Sequence, residues 1–319
     1  MFSAIDEFKN TDDQTSQTVK QMEEIPYRRQ VRGILKQNEP MSAHSSWHAG
    51  GAARHYFDPA DLEDLSCYLA ALPAAEPVLW VGLGSNLLVR DGGFPGSVIA
   101  VNRMLNKLEI EPSGLVRVDA GVPCAKVAKM TARAGWSGAE FLAGIPGTMG
   151  GALAMNAGAH GGEIWDIVTG VMTLSRSGTM TARLRSDFRI GYRSVGMPAE
   201  EWFISAELQL QRYPQHQGEQ RIRELLERRA ATQPVGQPSC GSVFRNPPGD
   251  YAARLIEACG LKGARRGDAC VSEKHANFII NQGDATAKDI EQLIQQIQET
   301  VQRKFAVALV PEVRIVGIA

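Results

Sequence analysis

Several stretches of this 319-residue chain carry residue types whose spacing points to chemistry. The densest runs from Gly144 to Gly162, where seven of nineteen residues are glycine and four more are alanine. Glycine costs backbone entropy, so such density belongs where the chain must take φ > 0 or approach something closely. Small residues also leave main-chain N–H groups uncovered, and successive N–H groups make an anion-binding concavity. A phosphate-bearing ligand lying against this run is one reading; tight turns packed inside a domain are the other. Gly82-Leu83-Gly84-Ser85-Asn86 poses the same choice. It follows an apolar strand, as a nucleotide loop does, yet Leu87 stands where the dinucleotide fingerprint needs a third glycine. A Rossmann site is therefore not expected, and the lack of any Gly-Lys dipeptide excludes a Walker loop.

Cys240-Gly241-Ser242-Val243-Phe244-Arg245-Asn246-Pro247 places a hydroxyl among apolar, cationic and amide groups. Ser242 lacks a Gly-x-Ser-x-Gly elbow, so an acyl nucleophile is not indicated. It can instead give a proton to a strongly basic carbanion or enolate formed beside it. The alternative is a turn hydroxyl bonded to its own backbone. Arg193, after Gly191-Tyr192, can form a bidentate pair with a carboxylate or can simply be solvated. Arg229 shares an apolar helical stripe, where arginine is rarely buried without a partner. Glu312 sits within a strand-like run beside Pro311, an unusual place for a carboxylate if that face is buried. The histidines show no metal-ligand pattern; no zinc or iron site is expected.

Composition bounds what these residues serve. Hydrophobic residues make up 44% and charged residues 22%, ordinary values for a globular protein with room for two or three cores. A net charge of -1 argues against nucleic acid or a membrane surface as the main partner. Five cysteines without a CxxC pair fit a reduced, cytoplasmic compartment. No apolar run approaches a membrane span, and the N-terminus lacks a signal-peptide plan.

The elements that must position the candidate residues alternate irregularly between helix and strand, which argues for α+β architecture over a plain parallel sheet. Residues 1–24 are polar and acidic and are expected to form a poorly ordered extension, with folded structure from about Tyr27. Asp58-Pro59 reads as a helix cap and first helical position, followed by Leu62, Leu65 and Leu69. Strands are expected over Pro77 to Val81, Leu87 to Val89, Ile167 to Leu174 and Trp202 to Leu210. Helices are expected from Cys124 to Ala134, closed by Gly135, and from Asp250 to Cys259, closed by Gly260. A new unit begins near Gln215, where Ile222, Leu225, Leu226 and Arg229 share a helical face. Thr286 to Phe305 is the clearest helix, with a Thr286-x-x-Asp289 capping box and Ile290, Leu293, Ile294, Ile297 and Val301 as its stripe. The chain closes in a strand with Leu309, Pro311, Val313 and Ile315 on one face and Glu312 and Arg314 on the other.

Taken together, the motifs resemble the UDP-N-acetylenolpyruvoylglucosamine reductases, the MurB flavoenzymes of peptidoglycan synthesis. The matching pieces are Gly50-Gly51-Ala52, Gly82 to Val89, Gly138 to Gly162, Gly191-Tyr192-Arg193, Gln233-Pro234, Cys240 to Pro247, Ser272 to Phe278 and Pro311-Glu312-Val313. The resemblance implies a vanillyl-alcohol-oxidase-type FAD-binding fold over residues 25–214, in two subdomains split near residue 105. A C-terminal α+β substrate-binding domain over 215–305 and a closing strand segment over 306–319, carrying Glu312, would follow. It implies non-covalent FAD held by Gly50, Gly51, Gly82, Gly84, Ser85, Asn86, Gly144, Ile145, Gly147, Gly150, Gly151, Asn156 and Gly158. Its pyrophosphate would lie against the two glycine loops. NADPH would be the hydride donor, and a UDP-sugar carrying an enolpyruvyl group the substrate, bound by Tyr192, Arg229 and Asn246. Arg193 and Glu312 match the positions that bind and polarise the substrate carboxylate, and Ser242 matches the proton donor. The short link between Arg193 and Ser242 resembles the subclass without an inserted tyrosine loop. His48-Ala49, Ala52, His160 and Ser194-Val195 depart from the usual pattern. A second reading is an FAD-dependent oxidase of the same fold acting on a small alcohol or hydroxy acid; a third is a flavin-binding module without catalysis.

Overall fold

The computed structural model describes residues 31–212 and 217–319. The expected extension over 1–24, the start of structure near Tyr27 and the change of unit near Gln215 lie outside the described residues. Strands Ile34–Pro40, Ala52–Asp58, Phe94–Ala100 and Val78–Val81 form a mixed four-stranded sheet in that spatial order. Only its first pairing is antiparallel; the other two are parallel. Helix α1 (Leu62–Ala71) covers one face, burying Leu65, Tyr68 and Leu69 against Phe57 and Ile99. The expected Asp58 cap is corrected: Asp61 caps the helix, accepting from the Asp64 N–H at 2.9 Å. Asp58 is the last residue of its strand, and its carboxylate is held by Arg103 at 2.9 Å. Pro59 therefore lies outside the helix. The Asp64 carboxylate then accepts from the backbone N–H groups of Arg32, Gly33 and Ala60, which locks the entry.

The second layer is a five-stranded antiparallel sheet, in the order Met180–Leu184, Val168–Ser175, Glu201–Gln209, Leu115–Asp119, Leu108–Ile110. Helix α2 (Cys124–Arg133) and helix α3 (Met149–Met155) pack on it through Val127, Ala128, Met149 and Leu153. The α3 turn lies inside the glycine-rich run and was not legible there. The Gly150-Gly151 pair is a poor helix former and masks the favourable alanine, leucine and methionine residues beside it, but the C-cap Asn156 at φ 47 closes the helix in the left-handed region. Helix α4 (Gln217–Thr232) sends Ile222 and Leu226 to this same core.

The third core holds helix α5 (Ala252–Ala258), helix α6 (Ala287–Phe305) and the small sheet Arg265–Arg266, Ala269–Val271, Ile279–Asn281. The α6 capping box forms as its sequence indicates, and all five stripe residues are buried. Each contributes about 1.5–3 kcal/mol by burial. Trp47, from the first part of the chain, is fully buried in this core. Its indole donates to the Ile279 carbonyl, and the Asn281 amide donates to the Trp47 carbonyl, each at 2.8 Å. Asp91 accepts from the Ala287 and Lys288 N–H groups at the start of α6. The N- and C-terminal parts are thus joined by directed polar contacts as well as by apolar burial.

The closing strand is shorter than expected. Regular pairing covers only Arg314–Val316, parallel to Leu87–Val89. Upstream, Pro311 has no N–H to give a ladder, and it makes an isolated bridge opposite Phe244. Leu309 and Val313 are buried in the third core, as the alternation predicts, although regular strand structure is confined to the last part of that run.

Candidate active site

The two glycine loops come together across a cavity of about 790 Å³. One strand ends at Val81 and the next starts at Leu87, so Gly82 to Asn86 is a strand-to-strand turn. A Cβ at Gly82 would meet the Thr148 Oγ1 at 2.4 Å, and one at Gly147 would meet the Ser85 Oγ at 3.1 Å. Gly84 has φ +61, and a Cβ there would lie 1.8 Å from the His44 carbonyl oxygen. Among the described residues, no backbone N–H from Gly82 to Asn86 donates to a protein acceptor, nor do those of Gly147, Thr148 and Gly151. Facing loops with free N–H groups suit an anionic ligand, as successive amides do in phosphate sites. The Gly84→Ala variant should lose roughly 1–3 kcal/mol of stability, because the side chain meets both a left-handed φ and a carbonyl. Urea unfolding at the flavin-free stage checks this; an unchanged midpoint would show that the loop relaxes freely.

Segment Cys240 to Asn246 closes the cavity from the other side, and its course is set by several anchors. The Cys240 thiol lies 3.6 Å from the carbonyls of Gly84 and Leu87, and burial pushes it up to about 11. Asn277 accepts from the Phe244 N–H at 2.9 Å and donates to the Phe244 carbonyl at 2.8 Å. The Glu312 N–H donates to the Val243 carbonyl at 2.7 Å. Asn86 donates its amide to the Glu312 carbonyl at 3.1 Å, tying the first glycine loop to the same strand. Ser242 lines the cavity half-buried, and its hydroxyl makes no hydrogen bond among the described residues.

Arg193 reaches this corner from the turn between strands Arg189–Gly191 and Ser194–Gly196. Its φ of 51 is left-handed, a costly conformation for arginine that the surrounding contacts must hold. The guanidinium donates to the Glu312 carboxylate at 3.1 Å, to the Gly158 carbonyl at 2.9 Å and to the Asn156 carbonyl at 3.4 Å. Burial pushes the Glu312 carboxyl above its ordinary range, and the nearby Arg193 and Arg245 oppose that shift. Arg229 lines the cavity, bonds Gln233 at 3.0 Å and makes no ion pair among the described residues; burial lowers its pKa. A half-buried guanidinium without a carboxylate fits a cavity that receives negative charge.

Of the sequence-predicted residues, the cavity wall brings together Gly82, Gly84, Ser85, Asn86, Gly144, Ile145, Gly147, Gly150, Gly151, Gly158, Arg193, Arg229, Ser242 and Glu312. The others lie elsewhere. Gly50 and Gly51 allow close approach to the carbonyls of Val89 and Asp91. Asn156 is buried beside the cavity, donating to Glu163 and to the Gly191 carbonyl. Tyr192 is half exposed, with its ring 5.3 Å from the Arg193 guanidinium. Asn246 is exposed and accepts from the Ala252 N–H at the start of α5. The wall also contains residues that sequence reasoning did not single out. Trp80 stacks on Trp202 at 5.1 Å, and its indole N–H is buried without an acceptor. Arg245 also lines the cavity, and its Nε is buried and unpartnered. A cation three residues after a candidate serine was the available signal.

Two family models match the chain: an FAD binding domain over residues 53–182, and the C-terminal domain of UDP-N-acetylenolpyruvoylglucosamine reductase over residues 233–316. The UDP-N-acetylenolpyruvoylglucosamine reductase of Methylococcus capsulatus is 55% identical over 288 residues, covering 90% of this chain and 95% of the relative. The Legionella pneumophila (strain Corby) protein of the same name is 52% identical, covering 90% and 94%. The crystal structure of the Thermus caldophilus reductase superposes with a TM-score of 0.76 at 33% identity, covering 89% of this chain and 98% of that one. With an α+β FAD-binding fold, the family's C-terminal domain and relatives matched over nearly their full length, the chain belongs to the UDP-N-acetylenolpyruvoylglucosamine reductase family.

Proposed function

We propose that this protein reduces UDP-N-acetylglucosamine enolpyruvate to UDP-N-acetylmuramate, with FAD as cofactor and NADPH as reductant, in peptidoglycan precursor synthesis. The observation that carries the reading is the convergence of Arg193, Ser242 and Glu312 on one cavity walled by both glycine loops. The residues present fit the cofactor. The free N–H groups of Gly82 to Asn86 and of Gly147, Thr148 and Gly151 suit its pyrophosphate, and Gly82, Gly84 and Gly147 let these loops pack closely against their protein neighbours so that those groups share one wall. The buried, unpartnered Trp80 indole adds a donor to the same wall. When bound, FAD supplies hydride transfer from NADPH to the enolpyruvyl double bond.

The chain's own residues do the rest. Arg193 pairs with the substrate carboxylate and keeps its orientation through the Glu312 and Gly158 contacts. As electron density moves toward that carboxylate, the guanidinium stabilises the charge where it develops. Ser242 gives its proton to the carbon that becomes carbanionic. Arg229 meets the diphosphate of the sugar nucleotide; the C-terminal core built on α5 and α6 forms the substrate-binding part, while α4, which carries Arg229, packs on the core of the second layer rather than with it. Tyr192 and Asn246 serve that substrate only if binding moves them, since both face outward in this structure. The short link from Arg193 to Ser242 fits the subclass without an inserted tyrosine loop. Among the described residues no helix is long and apolar enough to cross a membrane; with free cysteines throughout, we place the enzyme in the cytoplasm.

An anaerobic absorbance spectrum tests the reading. The purified protein should be yellow, bleach with NADPH and recover its colour on adding the enolpyruvyl substrate. Acid precipitation should release the flavin into the supernatant; colour left in the pellet would overturn non-covalent binding. Oxygen consumption on a small alcohol without NADPH would favour the oxidase reading.

A further inference from the structure

Arg245 has no role in the reading above, yet its placement is unusual. Its backbone is fixed by the bridge between Phe244 and Pro311 and by donation of its N–H to the Val310 carbonyl at 2.9 Å. Arg245 and Glu312 each sit one residue past that bridged pair, so both leave the same short ribbon at the cavity. Glu312 has its ion pair with Arg193, and Arg245 forms none among the described residues. Its Nε is buried and meets no acceptor. Leaving a donor of a charged group unpaired away from water is costly, so native proteins keep such groups for a partner that arrives later.

Charge counting points to the same partner. Around Glu312 stand two guanidinium groups, Arg193 and Arg245, against one carboxylate. The excess is a single positive charge, which a monoanion neutralises. A diphosphate is a poor match, because the free N–H groups of the glycine loops and the unpaired Arg229 already provide for phosphates elsewhere on the wall.

We propose that Arg245 is a second substrate-binding guanidinium, pairing with the enolpyruvyl carboxylate alongside Arg193. This rests on the proposed reduction of an enolpyruvyl UDP-sugar. The pair holds the carboxylate from two directions, so that its plane is set relative to the double bond before reduction. Arg193 by itself is partly spent on Glu312 and two backbone carbonyls.

The test uses the FAD-loaded full chain with Arg245→Gln and Arg245→Lys. Two ligands are titrated: the enolpyruvyl substrate, and UDP-N-acetylglucosamine, the same sugar nucleotide without the carboxylate. Arg245→Gln should weaken the enolpyruvyl substrate by roughly 10- to 100-fold, the scale of one hydrogen bond to a charged group. Binding of UDP-N-acetylglucosamine and the rate of flavin reduction by NADPH should stay at wild-type values. Arg245→Lys should recover part of the loss, keeping charge without the fork. Equal weakening of both ligands would place Arg245 on the diphosphate and overturn the proposal, as would loss of FAD or no change in either affinity. Wild-type protein that fails to turn over the enolpyruvyl substrate would sink the functional reading itself, a separate outcome visible before any variant is made.

Discussion

Ser242→Ala should leave flavin reduction by NADPH near the wild-type rate and slow reoxidation by the enolpyruvyl substrate about 10²- to 10⁴-fold. The magnitude is that of a placed general acid. The first half-reaction needs only cofactor contacts, whereas the second needs a proton at the carbon that becomes carbanionic. The Ser242 hydroxyl is free of protein partners and lines the cavity, so its removal breaks no hydrogen bond among the described residues. Its backbone is held independently by Asn277 on Phe244 and by the Glu312 N–H on Val243. Folding should therefore survive, and a thermal scan would confirm an unshifted transition. Stopped-flow absorbance at the flavin band resolves the two steps. Equal slowing of both would make Ser242 a flavin-positioning residue. If neither slows, the proton has another source, with Glu312 the first to examine.

Arg193→Lys is expected to lower turnover by about 10²- to 10³-fold, the loss that follows removal of one donor from a developing oxyanion. Lysine keeps the charge but is a point donor. It cannot hold Glu312 and the Gly158 carbonyl and still present a planar pair of N–H groups to a carboxylate. Flavin reduction by NADPH should continue, so the fall appears only with the enolpyruvyl substrate. The Arg193 to Glu312 pair also predicts the pH dependence. Burial raises the Glu312 pKa, so as pH falls through that raised value the carboxylate takes a proton and stops orienting Arg193. Activity should decline on the acid side at a higher pH than an ordinary glutamate would give, and Glu312→Gln should abolish that limb along with most of the rate. A wild-type profile flat down to the ordinary carboxylate range would refute the assignment, and unchanged turnover in Arg193→Lys would move Arg193 out of the site.

The two variants and Arg245→Gln separate three contributions in one corner: proton delivery, charge stabilisation and carboxylate capture. Arg193 and Arg245 are close enough, through Glu312, for their effects to be non-additive. Ser242→Ala acts on a different atom of the substrate, and its effect should multiply with either.

What the amino-acid sequence determined was mostly local or compositional. The α6 helix was legible because its cap, Thr286 with Asp289, and its stripe from Ile290 to Val301 repeat within a few residues of one another. The two glycine loops were legible as sites of close approach, and the order of motifs along the chain identified the family. Closeness in space was not legible. Arg193 and Glu312 are 119 positions apart and Asn86 and Glu312 are 226, and only the packing of separate layers makes them neighbours. The sequence also did not show that Tyr192 points out while Arg193 points in. That depends on one left-handed φ at an arginine, which residue type does not encode. Nor could it show that Arg245 is left without a partner in the cavity wall, because an unpaired donor is a property of its surroundings and not of the side chain itself.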